Sequence, residues 1–398
     1  MQSDKRRKSA VGDFWPSEDR QYGDVKWEPL LHEGRHYNGA PPRRGPKKLI
    51  PTMPENDARL ALVHDWLTKD LGIPPEKVEP ASSDASFRRY FRAFRNGETF
   101  VIMDAPPGKE DVRPYLKVTG LLESLGVHVP HVHEADVARG LLLLEDLGVT
   151  QYLQRLNGGD DPDRLYGDAL FALAEIQTRG VDAARELAPY DREPLAREMA
   201  LMPEWFCRRH LELTLTAAEN QILADAFEFL IAEALMQPSV FVHRDYHSRN
   251  LMVMTERNPG VIDFQDALRG PIGYDLVSLL KDCYIGWPRE RVEKWVSGYR
   301  NLLRSRGGPG GRDDREFLRW FDLIGLQRHI KVLGIFARLW YRDGKAGYLR
   351  DLPLTLEYVR DTSWRYPELA EFARMLEQRI VPELTRANAR AAVANEPK

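Results

Sequence analysis

Asp245, Asn250 and Asp263 are the side chains of this sequence whose types and spacing could do chemistry together. Asp245 and Asn250 stand five apart in Val242-His243-Arg244-Asp245-Tyr246-His247-Ser248-Arg249-Asn250-Leu251-Met252-Val253, a polar loop between apolar flanks. Asp263 closes a second apolar run, Val261-Ile262, thirteen residues past Asn250. Read as a hairpin, the two runs bring a carboxylate, an amide oxygen and a second carboxylate to one end. Oxygen ligands on short side chains suit Mg²⁺, which keeps several waters and binds through one or two carboxylates plus substrate phosphates. A free carboxylate beside such an ion can orient a hydroxyl for in-line attack on a phosphoryl group. No His/Cys spacing suits zinc. Alone, each residue reads as a turn carboxylate, a turn cap or a strand-end aspartate; the combination is far more specific. His243 is expected to prop the loop through hydrogen bonds. Arg244, Tyr246, His247 and Arg249 are left to packing, solvent or substrate contact.

The elements around this loop follow from periodicity and punctuation. Leu60, Val63, His64 and Leu67 share one helical face, ended by Gly72 and Pro74. Strand-like runs cover 87–94 and 99–103, joined through Asn96-Gly97, a hairpin signal. Pro114 opens a helix that Gly126 stops. Residues 127–137 read as extended and 141–144 as a buried strand, giving a small antiparallel sheet with one crossing helix. From Gly148 onward apolar residues recur at helical spacing, interrupted by the strand-rich island at 240–263.

Composition bounds the rest. The 398 residues carry 57 Lys+Arg and 60 Asp+Glu, a formal charge of −3. That balance argues against a dedicated nucleic-acid binder. Two cysteines, Cys207 and Cys283, exclude a disulfide scaffold and fit a reducing, cytoplasmic setting. No run approaches the ~20 apolar residues of a membrane span, and the N-terminus lacks the apolar core of a secretory signal. Residues 1–57 hold 12 Pro or Gly, too many breakers and too little apolar surface for a core, and read as a disordered or loosely docked extension.

The HxDxxxxN loop followed by Ile262-Asp263-Phe264 resembles the aminoglycoside phosphotransferase superfamily, the small-molecule branch of the protein-kinase-like fold. The resemblance implies an α+β, bilobal architecture: a small antiparallel-sheet lobe over 58–145, a mostly helical lobe over 146–385 and a flexible tail over 386–398. It implies ATP and Mg²⁺ as cofactors. Asp245 then matches the catalytic aspartate, Asn250 the metal-binding asparagine and Asp263 the Mg²⁺ aspartate. Asp275, in Gly273-Tyr274-Asp275-Leu276, takes a structural role. Glu145 to Leu147, after the 141–144 strand, would hydrogen-bond adenine through the backbone. The Ser82-to-Arg92 stretch sits where a phosphate-covering loop belongs, which makes Ser83, Asp84, Ser86, Arg88 and Arg92 candidate nucleotide contacts.

Further segments, among them Met202-Pro203-Glu204-Trp205-Phe206 and 326–339, narrow the resemblance to kinases that phosphorylate the anomeric hydroxyl of N-acetylated amino sugars in cell-wall recycling. The implied partner is a small-molecule sugar acting on a monomer, with no nucleic acid and no membrane. Kinases of aminoglycosides, choline-like alcohols or other sugars, and a catalytically silent kinase-like binding protein, are the alternatives. A lactyl carboxylate on N-acetylmuramate wants cations, and Arg328, His329 and Lys345 are candidates. One departure stands out: Phe100-Val101-Ile102-Met103-Asp104 ends without the lysine usual in such folds, and 115–121 lacks its glutamate partner. The Arg88–Arg92 segment is the expected substitute.

Overall fold

The structure, a computed structural model, describes residues 57–83 and 87–394. The extension before Asp57 and the candidates Asp84 and Ser86 lie outside the described residues. The chain divides into two compact units, one drawn from Met1–Asp111 with His133–Asp146, the other from Val112–Val132 with Leu147–Lys398.

The first unit is built on five strands, β1 (Lys77–Ser83), β2 (Arg89–Arg95), β3 (Glu98–Asp104), β4 (Val132–Asp136) and β5 (Leu141–Glu145), ordered β1-β2-β3-β5-β4. β1, β2, β3 and β5 pair antiparallel. Asn96 and Gly97 both take positive φ, as the turn between β2 and β3 demands, and Arg95 pairs with Glu98 across it. β1 was not legible in the sequence. Pro80 and three short polar or small residues weaken it, and its register slips between Pro80 and Ser82, as an edge strand tolerates. Helix α1 (Ala58–Asp65), capped by Asp57, lays Val63 on a core of Trp66, Leu67, Phe91, Ile102 and Leu143.

The second unit is mostly helical: α2 (Arg113–Ser124), α3 (Tyr152–Asn157), α4 (Pro162–Arg179), α5 (Val181–Arg185), α6 (Arg192–Met199), α7 (Ala217–Leu235), α8 (Gly273–Leu280), α9 (Arg289–Ser305), α10 (Asp314–Tyr341), α11 (Leu352–Arg365), α12 (Ala370–Met375) and α13 (Val381–Ala394). Two small antiparallel pairs interrupt them, β6 (Ser239–Val242) with β9 (Leu268–Pro271) and β7 (Leu251–Met252) with β8 (Gly260–Val261). Helix α10, 28 residues long and buried along most of its length, is the axis on which α6, α7, α8, α9 and α11 pack.

Two boundaries differ from the sequence reading. Helix α2, expected in the sheet lobe, belongs to the helical unit, because Tyr115 stacks on Phe264 at 4.8 Å and the Val261 N–H bonds the His128 carbonyl at 2.7 Å. The tail expected to loosen after Arg386 stays helical to Ala394. Ala387 is buried there, and Asn388 Oδ1 meets His210 Nε2 at 2.9 Å.

Candidate active site in the helical unit

The hairpin forms as the sequence implied. Leu251 pairs with Val261 and Met252 with Gly260. Loop 243–250 enters it from β6, and Asp263 leaves it with φ at 65°, a left-handed conformation that costs a non-glycine residue roughly 1–3 kcal/mol. Arg244 is also left-handed, at 78°. Strain at two positions of one site must be over-determined by the surroundings, and the hydrogen bonds show how.

His243 is the first brace. Its Nε2–H donates to the Ile262 carbonyl at 3.1 Å, and Nδ1 accepts the Asp245 N–H at 3.3 Å. One neutral ring thus ties loop 243–250 to the strand before Asp263. Burial lowers its pKa to about 4, which keeps it in that neutral form. Asp275 on α8 is the second brace. Its two oxygens accept the N–H groups of His243 (2.7 Å) and Arg244 (2.9 Å), pinning the left-handed turn. Burial pushes this carboxyl up to about 7 although both N–H groups pull it down. Asp282 is the third, accepting Ser248 N–H at 3.0 Å, the Ser248 hydroxyl, and Tyr284 N–H at 3.1 Å.

Asn250 joins the two halves. Its Nδ2 donates to the Asp245 carbonyl at 3.0 Å and to Asp263 Oδ2 at 3.2 Å. Its Oδ1 is left without a partner among the described residues. Gln265, where kinase-like folds usually have glycine, donates to Asp263 Oδ1 at 2.8 Å. No group of three or more His, Cys, Asp or Glu among the described residues could hold a metal. Asn250 Oδ1 and the Asp263 carboxylate, 13 residues apart on one hairpin, make the sparse oxygen set that Mg²⁺ uses alongside water and phosphate.

Asp245 differs from the other aspartates of the site. Asp263, Asp275 and Asp282 all accept hydrogen bonds, yet no donor among the described residues reaches the Asp245 carboxylate. Burial alone would push its pKa up; Lys331, His247, Arg328 and Arg244 outweigh that and hold it below the ordinary carboxylate range. The result is an anionic carboxylate with open lone pairs.

The sequence reading missed what lies behind it. Lys331 donates to the Tyr274 hydroxyl at 2.9 Å and pairs with Glu198 at 3.1 Å; Glu198 also holds Arg244 and Tyr190. The signal was available: Arg328 and Lys331, three apart, are cations inside a run whose apolar residues recur at helical spacing. Among the substrate candidates, Arg328 lies within electrostatic reach of Asp245. His329 does not join it. A 100° turn of the helix sends its ring onto Tyr358 at 4.8 Å and its Nε2 to the Lys281 carbonyl at 2.9 Å. Lys345 lies on the turn after α10, its N–H on the Leu339 carbonyl at 2.9 Å.

In the sheet unit, Arg89 and Arg92, near the phosphate-loop position, are both held by carboxylates. Arg92 binds Asp146 with a 2.8 Å contact. Arg89 and Arg59 both hold Asp104, at the end of β3 where a lysine is usual. Arg88 and Glu145 are half-buried and Leu147 is buried; Ser83 ends β1.

A family model described as the phosphotransferase enzyme family matches residues 77–321. Named N-acetylmuramate/N-acetylglucosamine kinase are relatives from Pseudomonas putida, 46% identical over 81% of this chain and 97% of the relative, and from Neisseria meningitidis, 46% identical over 76% and 90%. An ADP-bound aminoglycoside phosphotransferase shares the fold at 15% identity, TM-score 0.52, covering 76% of this chain and 98% of that one. The choline kinase of Streptococcus pneumoniae does so at 11% and 0.54, covering 77% and 100%. With its loop, its hairpin and these matches in agreement, the chain belongs to the phosphotransferase enzyme family.

Proposed function

We propose that the protein transfers the terminal phosphoryl group of ATP to the anomeric hydroxyl of N-acetylmuramate or N-acetylglucosamine, in the recycling of cell-wall sugars. The observation that carries the chemistry is the open, anionic Asp245 carboxylate in a site where Asp263, Asp275 and Asp282 all accept hydrogen bonds. The names of relatives 45–46% identical over most of their length support the sugar.

Asp245 orients the acceptor hydroxyl and takes its proton as the sugar oxygen bonds the terminal phosphorus and the bond to ADP breaks. An anomeric hydroxyl is more acidic than an ordinary alcohol, so one carboxylate suffices. Asn250 Oδ1 and Asp263 would hold Mg²⁺, which when bound neutralises phosphate charge. Glu145 to Leu147 would meet adenine through the backbone, and Ser83, Asp84, Ser86 and Arg88 would cover the phosphates. Arg92 contributes to them only by giving up Asp146. We place the activity in the cytoplasm and assign it to a monomer; among the described residues no helix is long and apolar enough to cross a membrane.

The test is Mg²⁺-dependent ATP consumption with N-acetylmuramate, N-acetylglucosamine, an aminoglycoside and choline, followed by phosphorus NMR of the product. Turnover of the N-acetylated sugars with phosphate on the anomeric oxygen is expected. Turnover confined to the aminoglycoside or choline, or phosphate on C6, would overturn the reading.

A further inference from the structure

Four Lys or Arg side chains are buried among the described residues: Lys281 (6% exposed), Arg300 (5%), Arg328 (4%) and Lys331 (7%). Three of them have a carboxylate within ion-pair distance. Lys281 faces Asp322 at 3.5 Å, Arg300 faces Asp314 at 2.8 Å and Lys331 faces Glu198 at 3.1 Å. Arg328 has none. Its one polar contact among the described residues is a 3.6 Å approach of Nη1 to the Cys283 sulfur, a weak acceptor. A guanidinium taken out of water without an anion is costly, and proteins pair such groups.

The nearby carboxylates are not available to satisfy it. Asp282 spends its oxygens on Ser248 and Tyr284. Glu198, on α6, is taken by Lys331, about one turn further along α10, and by Arg244. Asp245 acts on Arg328 only through space. A second buried polar atom in this neighbourhood also lacks a partner: Nδ1 of His247, two residues past Asp245. Arg328, His247 and Asp245 interact electrostatically with one another. Both unsatisfied groups thus lie within electrostatic reach of the Asp245 carboxylate, and neither belongs to the Asn250 and Asp263 pair that suits a metal.

We propose that Arg328 binds a carboxylate carried by the acceptor sugar and so sets a preference for N-acetylmuramate over the uncharged N-acetylglucosamine. This rests on the sugar-kinase reading above and adds to it a single residue and a direction of selectivity. The planar guanidinium fork matches a carboxylate in two parallel hydrogen bonds, which a lysine cannot reproduce. A site built around such a bond disfavours the analogue that lacks the partner, because the buried group is then left unmatched. His329 does not share the role: its ring lies on Tyr358 and its Nε2 on the Lys281 carbonyl, and although Nδ1 has no partner among the described residues, the ring has no electrostatic link to Asp245.

The experiment compares kcat/KM for N-acetylmuramate, its methyl ester and N-acetylglucosamine, in the full chain and in Arg328→Met and Arg328→Lys. In the unmutated protein the free acid should exceed both uncharged sugars by roughly tenfold to a hundredfold, mainly through KM. Arg328→Met should collapse that ratio to within about threefold, and Arg328→Lys should leave it in between. An acid no better than its ester in the unmutated protein would overturn the proposal, and that comparison needs no variant to fold. So would an Arg328→Met that loses equally on all three sugars, which would place the guanidinium on the transferred phosphoryl group. If the unmutated protein phosphorylates neither sugar, the sugar-kinase reading falls, and this assignment with it; turnover without acid preference removes only the assignment.

Discussion

Asp104 in the sheet unit and Asp245 in the helical unit are both aspartates among arginines, and they are used in opposite ways. Asp104 is fully buried, and Arg59 and Arg89 reach it directly; Arg89 also holds the cap of α1, Asp57. Every charge in that cluster has a partner in contact, so it fastens α1, β2 and β3 together. Around Asp245 the cations Lys331, Arg328 and Arg244 hold its pKa down, but none touches it. Arg244 and Lys331 are held back by Glu198, and Arg328 by its seat on α10. Direct pairing uses up a carboxylate. Charge held at a distance keeps it ionised while leaving its lone pairs for a ligand.

The sharpest way to break the comparison is to neutralise each aspartate. Asp245→Asn should lower kcat on the order of 10²–10⁴-fold, the usual worth of a positioned general base, while the melting temperature moves little, because no hydrogen bond to its carboxylate is lost. A variant within threefold of normal turnover would remove Asp245 from the chemistry. Asp104→Ala should do the reverse. Breaking a buried pair from one side leaves Arg59 and Arg89 facing an empty site, at a cost of about 3 kcal/mol. Both arginines keep some solvent, which places the effect at the lower end of that range. Urea unfolding measures the loss; a change under 1 kcal/mol would mean that the cluster is not a fastening. In this variant kcat at saturating substrates should stay within a few-fold.

The same contrast explains what could be read from the sequence. The hairpin carrying Asn250 and Asp263 was legible because apolar runs and polar loop residues alternate on a scale of a few residues. His243 was legible as a prop, and its two hydrogen bonds to Ile262 and Asp245 match that role. The helix α10 was visible too. What could not be read is which helix face a charge lands on and whether it meets a partner tens of residues away or more than a hundred. Lys331 and Glu198 are 133 apart, and Asp104 and Arg59 are 45 apart. Strand β1 was hidden for a different reason: Pro80 removes a donor and polar residues blur the alternation, features an edge strand accepts. The Arg88–Arg92 segment shows the limit clearly. Strand alternation correctly separates Arg89 from Arg92, but only the fold reveals that Asp104 takes one and Asp146 the other.

The smallest expected effect gives the finest test of charge held at a distance. Lys331 leads the groups that lower the Asp245 pKa, and its ammonium is fixed by Tyr274 and Glu198 rather than by Asp245. Removing a positive charge raises the pKa of a neighbouring carboxyl. Asp245 must be ionised to take the hydroxyl proton, so Lys331→Met should move the acid limb of kcat/KM to higher pH, with the plateau near neutral pH much less affected. Stability should change with the same sign. A carboxyl whose pKa is depressed in the folded protein stabilises the fold above its ordinary pKa, and that contribution is lost as pH falls through the folded value. Glu198 is likewise held below its ordinary range, by Lys331 and Arg244 acting against burial. The gap in melting temperature between Lys331→Met and the unmutated protein should therefore be wider at pH 7 than at pH 3. Tyr274→Phe is the control: it deletes a hydrogen bond to the ammonium and keeps the charge, so the limb should stay in place. A limb unmoved in Lys331→Met, or moved equally by Tyr274→Phe, would show that Asp245 is governed by local packing and not by the cations arrayed behind it.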